Sequence, residues 1–448
     1  MILTEAESRR SSYSKGPMQN FQDAVQEIDA LEAAAVGAAQ AGREQEALRL
    51  WSRILAIDPN HMRTLTALGQ RAFRQGDMQA ARTAFQRIVD IDGSDAQQWI
   101  HLAVTCRNLT EQETEEKAIQ RALSLDPTDL VGLILRADLL ERQGKTHEAA
   151  VAHGRVATVS PPLDRLRPEL RPAVARAVAH MDTYNKRYGA FLDEYLAPRF
   201  AELAGENLKR FRDSVDIMVG RKRRFDSQSL IYHYPHLAPI EFFDRAEFPW
   251  LDPIEAATDA IREEFLAILR ADQGFTPYIE YPPDVPHNQW AELNHSPRWS
   301  AFHLYKMGSL VEENAAQCPQ TMQALAGAPQ PDQPGRTPTA MFSLLKPKTR
   351  IPAHTGVTNA RLVTHLPLII PEGCGFRVGN DTRQWAPGKA WVFDDTIEHE
   401  AWNDSDELRV VLIFDIWHPQ LTAAERAMIT ALTTGINAFT GGSGGFEA

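Results

Sequence analysis

The stretch between Ser343 and Pro419 holds the densest set of residues whose types and spacing could do chemistry. His354, in His354-Thr355-Gly356, stands just before an apolar run at Leu362–Ile370 that reads as a strand. His399 comes 45 residues later, on a turn after Val392-Phe393-Asp394-Asp395. Two imidazoles at the ends of neighbouring strands can converge on one metal ion. Imidazole suits iron, copper, nickel and zinc alike, so the pair alone does not choose among them.

The elements that must position these histidines have a strand-like texture. From Tyr232 onward, short apolar runs sit between Pro, Gly and Asp breaks. The spacing predicts strands at Ala301–Lys306, Ala340–Lys346, Leu362–Ile370, Phe376–Val378, Ala390–Phe393 and Leu408–Trp417, with one helix over Pro253–Leu269. Closely spaced strands joined by turn residues suggest a β-sandwich or small barrel. Thr422-Ala423-Ala424-Glu425 forms a capping box, so a last helix should start there.

The N-terminal third repeats itself. Asp58-Pro59, Asp92-Gly93, Asp126-Pro127 and Ser160-Pro161 recur every 34 residues. The same step links Gly42, Gly76 and Gly144, then Ala35, Gly69, Ala103 and Ala137, then Ala84, Ala118 and Ala152. Small side chains let two helices approach, and a proline such as Pro59 ends a unit because it cannot continue a helix. This pattern resembles tetratricopeptide repeats, without Trp or Tyr at the usual early positions. Solenoids of this kind commonly present a concave surface to a peptide or partner protein, although such an array can also be a scaffold only. Pro161, Pro162, Pro168 and Pro172 mark the exit from the array. Helical periodicity from Ala173 to Asp216 predicts a connecting helix pair. The basic run at Gly220–Arg224 reads as a solvated loop.

Bulk properties exclude several classes. The 448 residues exceed one ordinary core and point to several domains. A net charge of −12 argues against general nucleic-acid binding. No run is long and apolar enough for a membrane span, and the first residues lack the apolar core of a secretory signal. Cys106, Cys318 and Cys374 show neither a disulfide framework nor zinc-site spacing. A cytoplasmic location is the expectation.

Several ordered motifs carry a family resemblance. They are His354-Thr355-Gly356-Val357-Thr358-Asn359-Ala360-Arg361, Thr364-His365-Leu366-Pro367-Leu368, Phe393 through Trp402, Arg409, and Phe414-Asp415-Ile416-Trp417-His418-Pro419. Upstream, Phe248-Pro249-Trp250-Leu251 and Leu304-Tyr305-Lys306 through Glu312-Glu313-Asn314 join them. Together, from about Ile231 to Leu421, they resemble the aspartyl/asparaginyl β-hydroxylase family, some members of which carry a repeat array before the catalytic domain.

The resemblance implies a multidomain α + β protein. An N-terminal α-helical repeat solenoid would precede a double-stranded β-helix, the jelly-roll, cupin-like core of 2-oxoglutarate oxygenases. The expected division is a disordered tail at 1–20, repeats at 21–172, a helical linker at 173–230, the oxygenase domain at 231–440 and a second tail at 441–448. His354 and His399 would hold Fe(II), with 2-oxoglutarate as co-substrate and O2 as oxidant.

Most such enzymes place a carboxylate two residues after the first histidine, completing a facial triad. Here that position is Gly356, as in this family, and water is expected to fill the site. Neither Asp394 nor Asp395 has the spacing to replace the acid. Halogenases of the same class also have a small residue there, but the surrounding motifs favour hydroxylation. Arg409, and Ser343 with it, match the positions that bind the distal carboxylate of 2-oxoglutarate, where a guanidinium can grip bidentately. His365 matches a histidine that touches the co-substrate, and Arg361 is the nearest match to a substrate-contacting arginine. Val363 departs from the pattern, because some members carry a second arginine there. The implied activity is hydroxylation of an Asp or Asn side chain in a peptide or protein recruited by the repeats. The alternatives are a free amino acid or lipid acyl chain as substrate, or a non-catalytic repeat-based adaptor.

Overall fold

A computed structural model describes residues 17–272, 274–286 and 288–441, with side chains from 22 onward. The chain divides into two compact units, Met1–Val215 and Asp216–Ala448. The expected tails lie outside the described residues, except that Pro17 already opens the first helix and Gly441 caps the last. Among the described residues no helix is long and apolar enough to cross a membrane.

The first unit is a helical repeat region. Its helices are α1 (Pro17–Gln40), α2 (Glu44–Ile57), α3 (Met62–Arg74), α4 (Met78–Ile91), α5 (Ala96–Asn108), α6 (Gln112–Leu125), α7 (Leu130–Arg142) and α8 (Thr146–Val159). The 34-residue phase has a direct physical basis. Ala35, Ala103 and Ala137 are fully buried where paired helices meet. At Gly69 a Cβ would come within 3.0 Å of the Phe85 ring, so only glycine lets that helix approach so closely. Gly42, Gly76 and Gly144 turn between helices with φ of 72°, 80° and 70°. Thr110 supplies the missing member of that series, in the left-handed region at φ 59°. A long helix, α9 (Arg171–Glu202), and a short one, α10 (Lys209–Met218), follow where the periodicity predicts a helix pair. Val174 and Ala177 of α9 pack against Leu133 and Val156 of the last repeat.

The second unit is an antiparallel β-sheet domain with helices. Its strands are β1 (Thr276–Pro277), β2 (Trp299–Lys306), β3 (Ser309–Leu310), β4 (Ala340–Leu345), β5 (Thr349–His354), β6 (Arg361–Ile369), β7 (Cys374–Val378), β8 (Asp381–Arg383), β9 (Trp391–Phe393), β10 (His399–Asn403) and β11 (Arg409–Trp417). The larger sheet runs β1-β2-β4-β11-β6-β9, with β3 on β2, and the smaller runs β5-β10-β7-β8. Helices α11 (Leu251–Ala256), α12 (Thr258–Ala271), α13 (Glu312–Ala315), α14 (Pro319–Leu325) and α15 (Ala423–Thr440) complete it. Thr422 and Glu425 make the expected capping box at the start of α15.

The alternation of a strand places the chemistry. On β11, Val410, Leu412, Phe414 and Ile416 pack under Leu251, Ile261 and Phe265 of α11 and α12. The odd positions of β11 face the other way, where Val411 meets Ile351, Phe376 and Ala401 of the smaller sheet. Each large apolar side chain fully buried in these two layers contributes about 1.5–3 kcal/mol.

Two local expectations change. His354 stands before β6 as expected and also ends a strand of its own, whereas His399 begins a strand rather than lying on a turn. The predicted helix at Pro253–Leu269 is two helices that meet at Ala257.

Candidate active site

His354 and His399 are direct cross-strand partners on β5 and β10, next to a register shift between His399 and Ala401. Their ring centroids lie 4.1 Å apart at 52°. His354 Nδ1 is 2.8 Å from the Pro352 carbonyl, and His399 Nδ1 is 3.0 Å from that of Ile397. A carbonyl only accepts, so each Nδ1 carries the proton and each Nε2 keeps its lone pair for a metal. Burial, then the neighbouring ring, pushes His354 down to about 3, and burial pushes His399 down to about 4. Both are therefore neutral at ordinary pH, the form that ligates. Trp290 packs edge-on against His354 at 5.0 Å.

The pair opens on a cavity of about 520 Å³ between the two sheets, which Ser343, Arg361, Val363, His365 and Arg409 also line. All five have odd numbers on β4, β6 or β11, so strand parity turns them to the same face. Even-numbered neighbours such as Phe342, Leu362 and Val410 lie in the helix-side core.

Arg409 is 2% exposed and makes no ion pair with a carboxylate among the described residues. Its Nη1 is 3.4 Å from both the carbonyl and the hydroxyl of Ser343, and its Nε has no partner. The guanidinium lies 5.0 Å over the Trp385 ring. Burial pushes it down to about 10. A buried guanidinium without a carboxylate is costly unless an anion completes it. Trp299 Nε1 donates to Ser343 Oγ at 3.3 Å and fixes that hydroxyl beside Arg409. His365 is buried, with Nδ1 unpartnered, and burial together with the nearby Arg409 holds it neutral.

Arg361 is placed differently from a free substrate-binding cation. It pairs with Asp395 at 3.0 Å and Asp415 at 3.1 Å, all three largely buried. The two acids raise the guanidinium against the opposing effect of burial. Burial in turn outweighs Arg361 at the acids, raising Asp395 and bringing Asp415 to about 6. Asp395 Oδ1 keeps no partner and faces this polar cluster. The spacing from His354 did not reveal Asp395 or Asp415. Parity along β11, which carries Arg409 inward, could have found Asp415.

A sequence model described as aspartyl/asparaginyl β-hydroxylase matches residues 255–419. The ornithine lipid ester-linked acyl 2-hydroxylase of Rhizobium tropici is 37% identical over 196 residues, covering 43% of this chain and 66% of that protein. The human aspartyl/asparaginyl β-hydroxylase is 26% identical over 389 residues, covering 82% of this chain and 44% of that one. The chain thus spans less than half the length of the human enzyme. A crystal structure of MamA protein covers 39% of this chain and 95% of its own, at 18% identity and a TM-score of 0.30. Through the domain that holds the paired histidines, the chain is similar to the aspartyl/asparaginyl β-hydroxylase family.

Proposed function

We propose that the chain is an Fe(II)- and 2-oxoglutarate-dependent dioxygenase that hydroxylates an unactivated C–H bond. The observation that carries this reading is one cavity holding two neutral imidazoles with free Nε2 atoms and a buried guanidinium without a carboxylate. The facing sheets, which share one core, are read as a double-stranded β-helix. In that reading His354 and His399 hold the iron, and solvent rather than a protein carboxylate completes its shell. Bound iron with 2-oxoglutarate and O2 supplies the oxidising power for oxygen insertion, with succinate and CO2 as co-products. Arg409 grips the distal carboxylate, with Ser343 Oγ as a second donor. His365 walls the same end of the cavity as a neutral ring. Trp299, Trp385 and Phe376 keep water from these groups, which strengthens each charge interaction.

The substrate is proposed to be an Asp or Asn side chain of a peptide or protein that the repeats recruit. The human relative, matched across 82% of this chain including the repeats, carries that activity in its name. One observation favours a lipid acyl chain instead. Arg361 is neutralised by two acids, and Val363 offers no charge, so the cavity presents little to an acidic substrate group. The relative from Rhizobium tropici is named for acyl 2-hydroxylation.

The test is an anaerobic titration of the metal-free chain with Fe(II) and then 2-oxoglutarate. A weak visible charge-transfer band is expected, and it should vanish in His399→Ala. No band in the parent chain would refute the reading. Succinate release with candidate substrates, followed by mass spectrometry, then distinguishes one added oxygen on a peptide from one on a lipid.

A further inference from the structure

The repeat unit holds a second constellation that shares no residue with the cavity. Among the described residues, one group of three His, Cys, Asp or Glu side chains has ligand atoms all within 4.8 Å of one another: Glu141, His153 and His180. They come from three helices, α7, α8 and α9. His153 Nε2 lies 3.3 Å from Glu141 Oε2, and His180 Nε2 lies 3.7 Å from Glu141 Oε1. The two rings lie tilted at 35° with centroids 4.3 Å apart.

Hydrogen bonding accounts for only part of this convergence. His153 Nε2 and Glu141 Oε2 are within hydrogen-bond distance at 3.3 Å, but 3.7 Å to His180 is beyond it. Both Nδ1 atoms are buried and lack a partner. Charge pairing does not account for the rest. Burial, and then the His180 ring, lowers His153 and outweighs the opposing pull of Glu141. The nearby cations are engaged elsewhere: Arg107 and Arg176 both bind Asp138, and Arg142 binds Glu115.

The spacing does match a metal site. Donors about 2.0–2.1 Å from a tetrahedral zinc ion lie roughly 3.3 Å apart, and two histidines with one glutamate are a set that zinc uses with water in the fourth place. Burial is graded to suit. The His153 side chain is 2% exposed, His180 23% and Glu141 41%, which leaves a solvent-side position and an entry path.

We infer that Glu141, His153 and His180 bind a divalent transition-metal ion of the zinc class, which ties α9 to the last helix pair of the repeats. The ion links three helices that also meet through an apolar cluster of Leu133, Val156, Leu166, Val174 and Ala177 and through the Arg176–Asp138 ion pair. A ligand that binds only the folded state stabilises it in proportion to its occupancy. The site is structural and independent of the proposed oxygenase chemistry.

The test measures zinc bound per full-length chain after equilibrium dialysis against zinc chloride. It compares the parent with Glu141→Gln, His180→Gln and the double variant His354→Ala/His399→Ala. Glu141 and His180 are partly exposed, so their glutamine variants should keep the parent's far-ultraviolet circular dichroism. Groups that merely orient a ligand cost about 10–100-fold in metal affinity when removed. Loss of a ligand should therefore weaken this ion by about a hundredfold or more. One zinc ion is expected to remain in His354→Ala/His399→Ala and to be lost when Glu141→Gln is added. Zinc should also raise the melting temperature of the double variant but not of the triple variant. Zinc content unchanged by Glu141→Gln and His180→Gln, or no zinc in His354→Ala/His399→Ala, would overturn the inference.

Discussion

The carboxylate of Asp395 occupies the space that a side chain at Gly356 would need. A Cβ built on Gly356 would stand 2.2 Å from Asp395 Oδ2. The Gly356 amide also donates to the Asp395 carbonyl at 2.6 Å. Arg361 holds Asp395 in this place, so the carboxylate cannot swing aside freely. The missing acid after His354 and the buried acid before His399 are thus one arrangement. Gly356→Ala should cost about 1–3 kcal/mol, the usual range for overpacking a well-filled site. Urea denaturation measures it. In a cycle with Asp395→Ala the two losses should add to less than their sum, because the second change removes the clash. Strict additivity would show that the two residues do not compete for space.

Arg409 should be needed for binding and not for stability. It has no carboxylate partner, so Arg409→Met strands no buried acid and removes an uncompensated cation. Unfolding free energy should hold or rise. Affinity for 2-oxoglutarate should fall, since a hydrogen bond to a charged group contributes about 1.5–3 kcal/mol, or about 10–150-fold. Arg409→Lys should recover only part of it, lacking the planar fork. Calorimetric titration of the Fe(II)-free chain against 2-oxoglutarate checks both variants. Unchanged affinity would remove Arg409 from the site.

The legible parts of this chain are those where one physical rule acts along the sequence. Helix packing demands a small residue at Ala35, Gly69, Ala103 and Ala137, and the repeat phase follows. Strands β4, β6 and β11 are buried on both faces, so each is a near-continuous apolar run. A polar residue inside such a run, such as Ser343, His365 or Arg409, stands out. Strands β5 and β10 were not legible, because only alternate residues turn inward. The sequences Thr349–His354 and His399–Asn403 carry charged or polar residues between them and read as loops. The partners of Arg361 were hidden for another reason. They lie 34 and 54 residues away in the chain, and only the pairing of β6 with β11 and β9 in the larger sheet brings them together.

Arg361 should behave in the opposite way to Arg409. Arg361→Met leaves Asp395 and Asp415 buried without a counter-charge, and breaking a buried pair in this way costs about 3–5 kcal/mol. Asp395→Asn/Asp415→Asn, combined with Arg361→Met, should restore part of that stability, because no net charge then remains to be desolvated. Equilibrium unfolding of the three chains decides. A small loss in Arg361→Met alone would mean that the acids already take up protons in its absence at no cost, and the cluster would not be a structural unit.

Acid should weaken the β-sheet unit in part through His303. Burial, followed by the nearby Lys306, pushes this imidazole down to about 4 from an ordinary 6.5. Between these values the unfolded chain holds a proton on His303 that the folded chain does not. Stability from keeping the ring neutral is therefore fully present above pH 6.5. It is lost as pH falls toward about 4 and is constant below that. Asp394 and Asp415, which burial raises to about 6, act with the opposite sign over part of the same range. The total slope thus mixes several groups, and the informative quantity is a difference. His303→Gln removes one titrating group and leaves the two carboxyls alone. The stability of His303→Gln relative to the parent should be constant above pH 6.5 and improve steadily from there to about pH 4. A relative stability that stays flat across that interval would show that the ring takes its proton in the folded chain as readily as in the unfolded one.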